Sequence, residues 1–444
     1  MSRNLANSIC ETLQRNRNQA LLVGGCVRDL LLGREPVDYD VTTDATPDQV
    51  QRLFPEAIAV GAKFGVILIP SDDGKVEIAT FRSDVGYSDG RHPDQVVYAT
   101  KPEDDVSRRD FTVNGLLMRH DTGEVLDFVG GRADLDNKII RAIGDPTRRF
   151  TEDKLRMLRA VRFAARFGYE IEPATLAAIE ALAPQIHVVS AERIREELTK
   201  LLAEGAARRG FELLDQSGLL AEVLPEIGAM KGVPQPPEYH PEGDVWIHTL
   251  MLLDGLPLGT SPTLAWGVLL HDVGKPPTLR PASLTGDRIR FDGHVEVGVS
   301  MGKEILQRLR FSNDETEQIL ALVANHMKFK DVAQMRQSTL KRFVRLPKFS
   351  EHLELHRLDC MASHGKLDAY QAVQQFLADT PPEQVRPPRL ISGDDLQDMG
   401  YCPGPSFQAM LRAVEDAQLE GSIGSKEAAI DFIKKHYPAN KVGR

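Results

Sequence analysis

The feature that most constrains this chain is a change of hydrophobic period about a third of the way along it. Up to residue 145 or so, apolar residues come in short runs bounded by glycine, as in Ala20 to Gly25, Val66 to Pro70 and Val76 to Phe81. Such runs read as strands alternating with helices. From Asp153 onward the spacing is helical almost to the end, interrupted by the proline-rich stretches VPQPPEYHP (Val233 to Pro241) and DTPPEQVRPP (Asp379 to Pro388). The expected class is therefore α+β, with a small α/β head leading into helical modules. At 444 residues one core does not suffice, and no repeat of fixed period points to a solenoid.

Charge and cysteine usage exclude several functions. With 64 acidic and 54 basic residues the net charge is −10, which argues against indiscriminate coating of nucleic acid. Any RNA contact must come from local basic stretches. Cys10, Cys26, Cys360 and Cys402 are too dispersed for a disulfide framework or a thiolate zinc site. No signal-peptide pattern opens the chain, and no apolar run approaches the roughly 18 residues of a membrane helix. A cytoplasmic protein without a membrane partner is expected.

Two neighbouring motifs in the head carry chemistry. LLVGGCVRDLLLG (Leu21 to Gly33) reads as a strand, a Gly24-Gly25 turn and a helix bearing Arg28, an arrangement that can turn backbone N–H groups towards a phosphate. It lacks both the third glycine of a dinucleotide fingerprint and the Gly-Lys-Ser/Thr ending of a Walker loop. In PVDYDVTT (Pro36 to Thr43), strand alternation puts Asp38 and Asp40 on one face and Tyr39 and Val41 on the other. Adjacent carboxylates repel, and divalent cations between them relieve that repulsion. In phosphoryl transfer one such ion lowers the pKa of an attacking hydroxyl and the other shields the leaving pyrophosphate. Taken singly, a plain tight turn and a solvated strand edge explain these motifs better than a ligand does.

Together they resemble the nucleotidyltransferase signature of bacterial tRNA CCA-adding enzymes and poly(A) polymerases, the class with an N-terminal catalytic head. Further matches follow in the family's order. VEIATFR (Val76 to Arg82) is similar to the strand that supplies a third acid, here Glu77. SDVGYSDGRHPDQV (Ser83 to Val96) resembles the mobile loop used when the nucleotide changes. SRRDFTVNGL (Ser107 to Leu116) resembles the ribose- and triphosphate-holding motif, which assigns Arg109, Asp110 and Asn114 to that task along with Gly24, Gly25 and Arg28. DFVGGRADL (Asp127 to Leu135) resembles the hinge between head and neck. The resemblance implies a head over 1–145 that holds two Mg2+ ions on Asp38 and Asp40.

RRFTEDKLRMLRAVRFAARFGYEIE (Arg148 to Glu172) reads as one long helix, with Glu152, Arg156, Arg159, Arg162 and Arg166 on one side. Ion pairs such as Glu152 with Arg156 are one explanation of that stripe. The excess of arginine over acid is a reason to expect phosphate or RNA beside it. The family's nucleotide-reading motif, Glu-Asp-x-x-Arg, stands here as Glu152, Asp153 and Arg156, with Arg159 in the same pocket. Cytosine and adenine each place an exocyclic amine beside a ring nitrogen acceptor, so a carboxylate can accept from one and a guanidinium donate to the other. Guanine and uracil reverse that polarity, so the pocket predicts CTP and ATP. The neck so defined spans 146–232.

Downstream, VWIHTL (His248), LLHDVGK (His271, Asp272), FDGHVEVG (His294), NHM (His326) and LHRLDCMASHG (Asp359) set histidines and carboxylates on separate helices, as a bundle needs to hold one or two cations in its core. They resemble the HD phosphohydrolase superfamily, which implies a metal-binding module over 240–370, its metal unspecified. Such a module either hydrolyses 2′,3′-cyclic phosphates or phosphomonoesters, or serves as an inert scaffold. A basic run from Lys328 to Lys348 offers either an RNA contact or a solvated face. The remaining 371–444, with Pro403-Gly404-Pro405 opening a helix, resembles the tail of tRNA-processing members. The implied activity is addition of CCA to the 3′ end of tRNA or another RNA from CTP and ATP. The alternatives are an enzyme adding only A, a poly(A) polymerase, or a phosphohydrolase or RNA-binding protein with an inactive head.

Overall fold

A computed structural model of the chain describes residues 2–61, 65–71, 74–86 and 95–438. These residues form two compact units, one of 1–231 with 256–265 and 304–311, the other of 232–255, 266–303 and 312–444.

The first unit is built on a seven-stranded sheet. Its strands are β1 (Ala20–Val23), β2 (Tyr39–Thr43), β3 (Ile58–Gly61), β4 (Val66–Ser71), β5 (Gly74–Thr80), β8 (Leu117–Met118) and β9 (Val125–Leu126), in the order β3-β4-β5-β2-β1-β8-β9. Only β2 and β5 run parallel, with Tyr39 opposite Val76 and Asp40 opposite Glu77. Leu21, Val23, Phe81, Val106, Leu117 and Ile143 make one core of the head. A separate antiparallel ribbon, β6 (Arg82–Val85) with β7 (Gln95–Tyr98), forms the stems of the stretch Ser83 to Val96. Residues 87–94 of that expected loop lie outside the described residues.

The neck corrects the reading of one continuous helix. The chain forms a helix at Pro146–Glu152, breaks at Asp153 in extended backbone (φ −146°, ψ 105°), and resumes helically over Leu155–Phe167. Asp153 causes the break, because its Oδ1 accepts from Leu155 N at 3.1 Å, a side-chain bond that competes with the helical ladder. Gly168, at φ 67°, ends the second helix, and Glu170–Ile171 (β11) pairs in parallel with Ile139–Ile140 (β10) instead of continuing it.

The second unit is helical. It includes Val245–Asp254, the C-terminal part of Pro262–Leu270, Asn313–Asn325 and Phe349–Ala362, followed by Asp368–Asp379, Pro405–Leu419 and Lys426–His436. Pro405 opens its helix at a position where the missing N–H costs nothing. The basic run is largely used internally: Arg342 and Arg345 pair with Glu415 at 2.8 and 2.7 Å, and Lys341 donates to Leu419 O at 2.8 Å. These contacts tie the helix Gln337–Phe343 and the turn after it to the helix Pro405–Leu419.

Candidate active site and metal centre

In the first unit a cleft of about 460 Å³ gathers most of the residues singled out above: Gly24, Gly25, Arg28, Asp40, Arg109, Asp110, Asn114, Asp153, Arg156 and Arg159. Glu152 instead lines a smaller neighbouring hollow, where it pairs with Arg148, Arg149 and Arg156. Gly24 has φ 77° and ψ −129°, a backbone few other residues adopt, and its N–H is spent on Leu116 O at 3.1 Å. Its contribution is therefore the turn; an added Cβ would sit 3.4 Å from Arg109 Nη1.

The carboxylates differ in setting. Tyr39 and Val41 are buried, as alternation requires, but strand pairing begins only at Tyr39, so Asp38 is exposed at the edge of the strand and Asp40 is half-buried within it. Burial pushes the Asp40 carboxyl up to about 6, with Glu77 and Asp38 adding to the rise and Arg109 opposing it. Burial and two neighbouring carboxylates together disfavour the ionised form. Among the described residues, the groups of three or more metal-capable side chains whose ligand atoms lie within 4.8 Å of one another all fall in the second unit. Asp38, Asp40 and Glu77 are neighbours without converging that closely.

A carboxyl with a folded pKa above its unfolded 3.8 binds its proton more tightly when folded, so between pH 3.8 and about 6 stability falls as pH rises. Above that window the ionised, buried Asp40 is a standing cost that a cation relieves. Mg2+ is accordingly expected to raise the melting temperature more at about pH 7.5 than at about pH 5, where the proton competes. Fluorimetric melts with and without Mg2+ measure this, and an equal or larger shift at the lower pH would contradict it.

The arginine stripe is mostly matched by acids from elsewhere in the unit. Arg159 holds Asp110 Oδ2 at 2.9 and 2.7 Å, and Asp110 also accepts from Phe111 N and Asn114 Nδ2. Burial would raise the Asp110 carboxyl, but Arg159 and Asn114 hold it down at about 2. Arg162 pairs with Glu197 at 2.6 Å and with Glu204 at 3.0 Å, and Arg166 reaches Glu204 at 3.3 Å. The local surplus of arginine thus reflects carboxylates brought in by tertiary folding. Arg28 stacks 4.4 Å from the Phe167 ring and donates to Asn114 Oδ1.

Arg193 is absent from the sequence reading. It grips Asp153 through Nη1–Oδ1 at 3.2 Å and Nη2–Oδ2 at 2.8 Å. Arg156 donates to the carbonyls of Arg149 (3.1 Å) and Arg108 (3.0 Å). No spacing rule links positions 153 and 193; only the packing of Ala191–Ala203 against Leu155–Phe167 does.

In the second unit His248, His271, Asp272, His294, His326 and Asp359 do converge. Asp272 Oδ2 lies 3.2 Å from His271 Nε2 and 3.9 Å from His248 Nε2, and its Oδ1 lies 3.9 and 3.8 Å from His294 and His326 Nε2. His248 Nε2 stands 3.1 Å from Asp359 Oδ1 without the alignment of a hydrogen bond. All four Nε2 atoms are buried with no hydrogen-bond partner among the described residues. Every Nδ1 is taken: by Val268 O for His271, Phe291 O for His294, Val323 O for His326 and Glu242 for His248. For His271, His294 and His326, engaging Nδ1 as donor leaves Nε2 as a lone pair aimed inward, the tautomer a cation requires. In His248 burial is outweighed by Asp359 and Glu242, which push the ring up to about 9, so a cation there would displace a proton. Burial lowers His326 to about 4, which keeps it neutral. Burial alone would raise Asp272, yet His271 and Lys275 hold it well below the usual carboxylate range. Gly274 is required by close approach, since a Cβ there would sit 2.1 Å from His294 O.

Known proteins agree with this picture. Residues 20–141 match the model of the poly A polymerase head domain, 168–230 that of a probable RNA and SrmB-binding site of polymerase A, and 245–348 the HD domain. A multifunctional CCA protein of Acinetobacter baumannii is 36% identical over 361 residues, covering 79% of this chain and 82% of that protein. The chain belongs to the CCA-adding enzyme family. A CCA-adding enzyme of Levilactobacillus brevis is 42% identical over 215 residues, 48% of this chain and 54% of that one, so the chain spans about half the length of such relatives. The crystal structure of the Bacillus stearothermophilus CCA-adding enzyme in complex with CTP superposes with a TM-score of 0.76 at 25% identity, over 97% of this chain and 96% of that one. No helix among the described residues is long and apolar enough to cross a membrane.

Proposed function

We propose that this chain adds C and A nucleotides to the 3′ end of tRNA, building CCA from CTP and ATP with release of pyrophosphate, in the cytoplasm. The supporting observation is that one cleft is lined both by Asp40 and Arg109 and by Asp153 and Arg156, so reacting phosphate and incoming base can be held at once. A solved relative contains CTP, and a Thermotoga maritima CCA-adding enzyme of the same fold was solved with tRNA. Asp38 and Asp40, with Glu77 beside them, would hold two Mg2+ ions, which supply charge neutralisation at the α-phosphate and the leaving pyrophosphate. Arg109, whose Nε is buried with no partner among the described residues, offers a donor to the triphosphate. The division of labour would follow a head (1–145), a neck (146–232), an HD module (240–370) and a tail (371–444).

Purified protein given tRNA lacking its 3′ end, with each NTP singly and in pairs, tests the proposal by sequencing the products. Growth by CCA that then stops is expected; an A-tract of indefinite length would favour a poly(A) polymerase, and A alone an A-adding enzyme. Arg193 positions Asp153, so Arg193→Ala is expected to reduce the preference for CTP over UTP by roughly 10- to 100-fold, read as a ratio of kcat/KM values. An unchanged ratio would remove Arg193 from base selection.

A second reading rests on the four inward Nε2 atoms that lack hydrogen-bond partners among the described residues: the HD module binds a divalent metal and hydrolyses cyclic or monoester phosphates. His248, His271, Asp272, His294, His326 and Asp359 would be its ligands.

A further inference from the structure

The proline-rich stretch Val233 to Pro241 reads from sequence as a linker, yet it and the residues up to Asp244 wall the histidine cluster. Asp244 caps the helix Val245–Asp254 through Ile247 N at 2.8 Å and accepts from Gly232 N at 2.6 Å, which fixes both ends of the segment. Near its start, Gln235 accepts from Lys275 Nζ at 2.6 Å, and the same ammonium lies 2.6 Å from Asp272. Near its end, Glu242 Oε1 accepts from His248 Nδ1 at 2.6 Å and from His240 Nδ1 at 2.9 Å.

His248 differs from the other three histidines. His271, His294 and His326 each use the carbonyl three residues back in their own segment. His248 uses a carboxylate delivered from outside its helix. A carboxylate on Nδ1 fixes ring orientation and makes Nε2 a stronger donor to a cation. The Glu242 side chain is only 5% exposed, with Oε2 lacking a hydrogen-bond partner among the described residues. Asp272 and Asp359 lie on the other side of His248, and Lys275 pairs with Asp272, so carboxylates face the cluster from several segments.

We propose that Glu242 is a positioning residue for a divalent cation at the histidine cluster, and that cation binding and the order of the segment 233–244 are coupled through it. The inference rests on the metal-binding reading of the HD module. A bound cation balances the carboxylate charge, and the His248–Glu242 bond transmits that gain to a segment held otherwise by Gln235 and Asp244. The same coupling makes the segment part of the metal site's wall.

Co2+ is the probe, titrated into the full chain with millimolar Mg2+ present to occupy the carboxylates of the head. Visible absorption reports nitrogen-rich coordination, and hydrogen exchange of the 233–244 amides is followed with and without Co2+. Parent chain is expected to bind Co2+ and to slow exchange in the segment. Glu242→Gln, isosteric but uncharged, is expected to bind about 10-fold or more weakly and to lose most of the protection, with circular dichroism verifying its fold. Equal affinity in parent and folded variant overturns the role of Glu242. Co2+ binding by the parent without slowed exchange overturns the coupling, and this measurement needs no variant. Failure of the parent to bind Co2+ overturns the metal-binding reading and this inference with it.

Discussion

Asp40→Asn is expected to lower nucleotide addition to a tRNA 3′ end by ~10³-fold or more, and at the same time to raise the melting temperature of the metal-free protein. The first effect follows from losing a carboxylate proposed to hold cations, which would supply several kcal/mol of transition-state stabilisation, at about 1.4 kcal/mol per tenfold in rate. The second follows from burial: the Asp40 carboxyl is pushed up to about 6 beside Glu77 and Asp38, so at neutral pH the folded chain carries an unfavourable ionised group that asparagine removes. Opposite signs for activity and stability separate a functional carboxylate from a structural one, whose removal would lower both. Radiolabelled CTP incorporation and a thermal melt at about pH 7.5 measure the pair. Addition within about tenfold of the parent would take Asp40 out of the mechanism.

Asp272→Ala is expected to abolish metal-dependent hydrolysis of 2′,3′-cyclic and monoester phosphates, while Asp40→Asn leaves that hydrolysis intact. Asp272 is 2% exposed, and its two oxygens face the Nε2 atoms of His271, His294 and His326, so it would be a central ligand of any cation held there. Its removal also leaves Lys275 buried without its nearest counter-charge, so the variant is expected to be less stable by about 3 kcal/mol. Hydrolysis of bis-p-nitrophenyl phosphate and of a cyclic nucleotide in the presence of Ni2+, Mn2+ or Co2+ decides the matter. Absence of hydrolysis by the parent with every metal would leave the module a scaffold.

Much of this was legible because the relevant signals are local. The alternation in PVDYDVTT placed Tyr39 and Val41 inside whatever else the strand did, and the burial of both shows that rule at work. The His271-Asp272 pair, and histidines heading later segments, marked a core cluster, and folding does bring their Nε2 atoms together. Where local rules failed, a side chain intervened. Asp153 reads as helical by period, yet its carboxylate captures Leu155 N and splits the helix. The arginine stripe looked unpaired because its partners, Asp110, Glu197 and Glu204, lie tens of residues away.

What the sequence determined by itself, then, is a mixed α/β head followed by a helical remainder, and the side-chain types each cluster offers, since period, turn chemistry and side-chain type are properties of short segments. Only the tertiary structure decided which carboxylate meets which cation. It put Arg193 on Asp153, matched the neck arginines with distant acids, left Asp38 at the strand edge while burying Asp40, and made a proline-rich linker the wall of the histidine cluster through Glu242 and Gln235. The physical reason is range. A hydrogen bond or ion pair needs its partners within about 3 Å, and across gaps of 40 residues or more that proximity is set by how helices and strands pack, which no local period encodes.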